Sequence, residues 1–139
     1  MANTAVAAFA QIPKTASAVC VAAAVVATDT PTNTLLLFTA GVNGSIMTRL
    51  RAIPRAAATA AISLDLFVSN DGGATKRIID SELLAIYTPF AATTAKPDTQ
   101  FLNYSEQTPL RLGAGDQVYV GAETALAAGI VFVAEYTDY

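Results

Sequence analysis

The sequence predicts an all-β chain: a single antiparallel β-sandwich, jelly-roll-like, over residues 16–139. Residues 1–15 precede it as an N-terminal arm or an edge strand. Three observations predict this fold. Apolar and polar residues alternate with period two in several short segments, the mark of half-buried strands. Turn residues (Gly, Asn, Asp, Pro) interrupt those segments about every 8–12 residues, the spacing of a sandwich or jelly roll. The 139 residues, without internal repeat or linker, suit one domain large enough to bury its own core.

Residues 60–69 carry the clearest alternation. Ala60, Ile62, Leu64, Leu66 and Val68 point one way; Ala61, Ser63, Asp65, Phe67 and Ser69 point the other. Asn70-Asp71-Gly72-Gly73 then turns the chain, because Gly and Asn tolerate positive φ and Asp caps its own backbone. Residues 75–80 return as the second strand of a hairpin. Upstream, strands are expected at residues 18–27, 34–40 and 45–53, the last ended by Pro54. Downstream, residues 81–87 suit either a capped helical turn or a strand, and residues 91–101 read as an exposed loop. Residues 108–112, 117–122 and 130–136 complete the strands. Both faces of 130–133 are apolar, which marks a central strand or one at an interface.

The N-terminal segment has no period and contains Pro13. Phe9 and Ile12 are poor choices for a free tail, so it lies either on a neighbouring subunit or at the edge of its own sheet.

Composition points to assembly. The chain is 53% hydrophobic, much of it alanine, and only 14% charged, against about 25% in an average soluble domain. A surface so short of charge is expected to be covered in part by a partner or by copies of itself. The net charge of −3 and pI of about 4.7 argue against nucleic acid. Arg49, Arg51 and Arg55 form the only basic cluster, a partner contact or a solvated strand face. The apolar run 16–27 is too short to span a bilayer. With no targeting segment visible, folding in a cytoplasm is expected.

Catalytic chemistry is not legible. The chain has no histidine and one cysteine, Cys20. That removes Ser-His-Asp and Cys-His catalysis, imidazole ligation and a structural zinc site. No phosphate-binding loop appears. The carboxylates are dispersed, and with no Trp for a sugar platform they read as solvated turn residues. Asp71, Asp80 and Asp116 lie in or near turns, where calcium could be held, but they match no ordered ligand loop, and a hairpin turn explains Asn70–Gly73 more economically. Tyr87, Tyr104, Tyr119, Tyr136 and Tyr139 either form a ligand surface or close the core and subunit edges. No enzyme and no cofactor are expected.

Three stretches together resemble small β-sandwich virion proteins of tailed bacteriophages. They are Leu66-Phe67-Val68-Ser69-Asn70-Asp71-Gly72-Gly73-Ala74-Thr75-Lys76-Arg77, Pro109-Leu110-Arg111-Leu112-Gly113-Ala114-Gly115-Asp116-Gln117-Val118-Tyr119-Val120 and Gly129-Ile130-Val131-Phe132-Val133-Ala134-Glu135-Tyr136. The resemblance implies a capsid decoration (cement) protein made in the host bacterial cytoplasm. Such a protein sits on the virion head surface, binds the major capsid protein and forms a homo-oligomer, a trimer first. The candidate partner-binding residues are Phe9, Ile12, Arg49, Arg51 and Arg55. The alternative is a receptor- or carbohydrate-binding module of a fibre, spike or neck, with Tyr104, Tyr119 or the 91–103 loop at its ligand surface.

Overall fold

The computed structural model describes residues 9–139. Within them the chain forms nine strands: β1 (Ile12–Cys20), β2 (Leu35–Thr39), β3 (Ser45–Pro54), β4 (Ile62–Ser69), β5 (Arg77–Leu84), β6 (Thr99–Gln100), β7 (Leu110–Leu112), β8 (Gln117–Ala122) and β9 (Ile130–Asp138). One sheet runs β1-β9-β3-β6, with β7 also on β3; the other runs β2-β8-β4-β5. All these pairings are antiparallel. The pairs nest: β1 with β9, β2 with β8, β3 with β6 and β7, β4 with β5. That is one long antiparallel ribbon folded over itself, the arrangement of a jelly roll.

The core lies between the sheets, and alternation decides what enters it. Leu64 and Leu66 of β4, Val118 and Val120 of β8, and Ile130, Phe132 and Ala134 of β9 are all buried there. Phe38 of β2 stacks on Tyr136 of β9, ring centroids 3.9 Å apart. In β3 a bulge between Met47 and Arg49 resets the alternation. Met47, Leu50 and Ala52 therefore all point inward, while Arg49 and Arg51 point out.

The first strand differs from the expectation. It begins at Ile12 and ends at Cys20, rather than filling 18–27. Nine residues pair with β9, from Ile12 opposite Asp138 to Cys20 opposite Ile130. Pro13 is tolerated because β1 is an edge strand with one neighbour. The segment read as an arm or edge strand thus supplies, in residues 12–15, the start of an edge strand; residues 1–8 lie outside the described residues. Residues 81–84 belong to β5, and the 91–101 loop closes on the short β6.

The chain between β1 and β2 crosses the outer face of the second sheet. Ala24 N–H donates to the Ala122 carbonyl at 2.7 Å, and Lys76 N–H donates to the Asp29 carbonyl at 2.9 Å. Beneath this crossing lie Phe67 (0% exposed) and Tyr119 (9%). Hence Asp65, Phe67 and Ser69, expected on an open face, are buried. Gly121 allows the close approach: a Cβ there would stand 3.1 Å from Ala24 Cβ and 3.5 Å from Phe67.

A clasp holds the chain end. Asp138 accepts from Lys14 Nζ at 2.7 Å and from the Ser45 hydroxyl. The Ser45 oxygen in turn accepts from Gly41 N–H at 3.0 Å. Lys14 first, then Ser45, hold the Asp138 carboxyl below the usual carboxylate range.

Candidate functional site

The five residues expected to bind a partner do not converge. Arg49 and Arg51 share the open outer face of the first sheet, where Arg49 pairs with Glu135 at 3.6 Å and Arg51 with Asp98 at 3.5 Å. Arg55 lies past the end of β3, and its Nε donates to the Ala128 carbonyl at 2.7 Å, tying down the turn before β9. Phe9 and Ile12 are 68% and 53% exposed. Ile12 sits opposite Asp138, at the end of the sheet away from Arg55. On this outer face Arg49 and Arg51 are already paired, while Arg111 of β7, opposite Ile46, is exposed.

The apolar exposure lies elsewhere. On β5, Ile78, Ile79 and Leu83 are exposed, followed by Ile86. β5 is the outermost strand of its sheet, so one side of its backbone lacks a strand partner. Edges of this kind invite pairing unless blunted. The blunting here is partial: Asp80 and Glu82, opposite Leu66 and Leu64, turn acidic side chains toward the core side. At the other edge of the sheet β2 exposes Leu35 and Leu36 and carries no charge. Sequence reading missed the β5 edge because a hairpin's second strand can be central or outermost. The Ile78-Ile79 pair, apolar on both sides of one strand, was its only signal.

A second grouping was also missed. On the outer face of the second sheet, Asp65 stands opposite Ser81 and Gly121. Asp65 is 1% exposed, and its Oδ2 is buried with no hydrogen-bond partner. Its Oδ1 accepts only a long bond from the Ser63 hydroxyl, at 3.3 Å. The Ser63 and Ser81 oxygens lie 3.2 Å apart, and Glu123 N–H donates to the Ser63 carbonyl at 2.9 Å. Burial first, then the neighbouring Glu123 carboxylate, push Asp65 up to about 6.

The remaining polar candidates serve their own turns. Asp71 accepts from the Ser69 hydroxyl and from Thr75 N–H, both at 2.8 Å, which holds its carboxyl below the usual range. Asp116 accepts from Gly113 N–H at 2.8 Å. Asp80 accepts from Ser81 N–H and Asn103 Nδ2; burial, and secondarily the Asp80 charge, push Tyr104 up to about 12. Asp71, Asp80 and Asp116, weighed for calcium and set aside, are not brought together, and among the described residues no three His, Cys, Asp or Glu gather into a metal-holding group. Tyr104 packs against the core, and Tyr119 lies under the Lys76 ammonium, 4.3 Å from its ring centroid. The hollow beside β5, lined by Val68, Asn70, Asp71, Thr75, Arg77 and Ile79, offers no aromatic platform. Cys20 is buried, which pushes its thiol up to about 11 and makes it a poor nucleophile. Among the described residues, no helix is long and apolar enough to cross a membrane.

No family model, curated protein or solved structure matches the chain.

Proposed function

We propose that the chain is a structural virion protein, a capsid decoration subunit that associates with its own copies and binds the major capsid lattice at the head surface. It acts by binding alone, without cofactor or catalytic group. The observation that carries this reading is the run of exposed aliphatic side chains on the unpaired β5 edge, Ile78, Ile79, Leu83 and then Ile86. Exposed aliphatic clusters on a chain this poor in charge mark surfaces that other proteins cover. The jelly-roll topology and the three resembling stretches favour the virion setting.

The charge pattern of β5 favours a ring over a two-fold dimer. Two β5 strands paired antiparallel about a two-fold axis would bring the Asp80 and Glu82 carboxylates of both copies together, which destabilises a sheet. A head-to-tail contact with an uncharged edge such as β2 avoids this, and head-to-tail contacts close into rings. A trimer is the smallest such ring.

The test is the mass of the purified protein by light scattering behind a sizing column, followed by co-sedimentation with expanded capsids. A trimer that co-sediments supports the reading. A monomer that stays in the supernatant overturns it. Leu83→Lys, on an exposed position, is expected to dissociate the oligomer without unfolding the subunit.

A further inference from the structure

We propose that Asp65, Glu123 and the hydroxyls of Ser63 and Ser81 form a divalent-cation site that takes calcium. The site takes one ligand, Ser81, from β5 but does not rest on the assembly reading.

The cluster is built from three strands. Ser63 and Asp65 alternate on β4, Ser81 faces Asp65 from β5, and Glu123 follows directly on β8. The second sheet's own pairing therefore brings four oxygen-bearing side chains to one face. The grouping is more than a gathering of acids, because one of its members lacks a partner. Asp65 is 1% exposed, yet its Oδ2 accepts no hydrogen bond and its Oδ1 accepts one bond at 3.3 Å. Ordinary O–H···O bonds fall at about 2.5–3.0 Å, so even that bond is weak. A buried carboxylate is normally paired or bound to metal. Among the described residues, no Lys or Arg forms an ion pair with Asp65. The charge acting on it is the like charge of Glu123.

A hard cation relieves such a pair of like charges. Calcium suits the donors, which are all oxygen, and accepts irregular geometry. Magnesium demands near-octahedral ligands and holds its water. Glu123 and Ser81 are exposed, which gives a cation a route in and leaves room for water to complete its shell. Two carboxylates with hydroxyls and water put the affinity in the weak class of extracellular calcium modules, on the order of 0.1–1 mM.

The experiment is thermal unfolding of the full chain with calcium chloride, and separately magnesium chloride, at about 10 mM, roughly ten or more times the expected dissociation constant. At about pH 7.5, calcium is expected to raise Tm by about 3 °C or more, and magnesium by less. The shift should vanish in Asp65→Asn and in Glu123→Gln. The second variant alters an exposed residue and so keeps the test valid if the first fails to fold. No calcium shift in the folded wild type overturns the site. So does an equal shift in either variant.

Discussion

The two sheets bury their inner faces alike and differ in what covers their outer ones. The outer face of the β1-β9-β3 sheet carries half-exposed Ile and Val side chains and arginines paired with Glu135 and Asp98, with no chain crossing it among the described residues. The outer face of the β2-β8-β4 sheet is roofed by the chain between β1 and β2, which buries Phe67, Tyr119 and Asp65. One sheet thus behaves as a half-buried antiparallel sheet should, and the other as the middle layer of three. The difference shows that alternation identifies a strand without saying whether its polar side will meet water.

The sharpest way to break this comparison is to cut the same kind of contact on each side. Phe67→Ala is expected to cost about 3–5 kcal/mol in urea unfolding, as a large-to-small change in a core does. That matches the cost expected for Phe132→Ala between the sheets, where Phe132 is likewise 0% exposed. Val133→Ala, on the open outer face, should cost about 0.5 kcal/mol. A loss below about 1 kcal/mol for Phe67→Ala would mean that the roof opens freely and that the face beneath it is not a second core.

Gly121→Val addresses the roof itself. The new side chain would meet Ala24 and Phe67 in space already filled, with the nearest atom 3.1 Å from its Cβ. Overpacking of this kind costs about 1–3 kcal/mol. Protease cleavage within residues 21–34 should accelerate in the variant, which separates a lifted roof from a loss of global stability.

How much of this the sequence shows follows from which signals are local. The alternation of 60–69, the Asn70–Gly73 turn and the run 130–136 are local, and the strands stand there. The first strand was displaced because the apolar run 18–27 outweighed the weaker alternation of Ala16, Ala18 and Cys20, while Pro13 discouraged an earlier start. Only the nine-residue pairing with β9, more than a hundred residues away, decides between them. The same distance hid the Asp65 grouping. Asp65 read as a solvated strand carboxylate, and nothing near it in sequence announces that Ser81 and Glu123 will face it under a roof. Arg49 and Arg51 did fall on one face as their spacing requires, but their pairing with Glu135 and Asp98 depends on the sheet partner and a distant loop.

Titration gives a smaller effect that tests the roof from another side. Asp65 has its folded value raised to about 6, above the ordinary carboxylate value of an unfolded chain. The native state therefore binds this proton more tightly than the unfolded state. Stability should rise as pH falls from about 7.5 through 6 toward 5, by on the order of 1 kcal/mol, since the solvated Glu123 and Ser81 moderate the burial. Asp65→Asn should remove that rise. Asp138 runs the opposite way: its lowered value means that its contribution is present at neutral pH and is lost only as pH falls below the ordinary carboxylate range. A monotonic loss of stability from pH 7.5 to 5 would show that Asp65 is solvated and the roof open.

The smallest stability effect is expected on the open face, and there it is the most informative. Arg49→Ala and Arg51→Ala each break one ion pair between partly exposed side chains. Such pairs are worth about 0.5 kcal/mol, so urea midpoints should barely move. If this face meets the capsid lattice, both variants should nevertheless weaken co-sedimentation with capsids, while Leu83→Lys on β5 weakens self-association. The two surfaces then separate by experiment: one set of substitutions lowers the mass of the oligomer, the other leaves the mass and loses the capsid. Should Arg49→Ala and Arg51→Ala bind capsids as well as the wild type, the open face is a solvated sheet and the partner must be sought at the β5 edge instead.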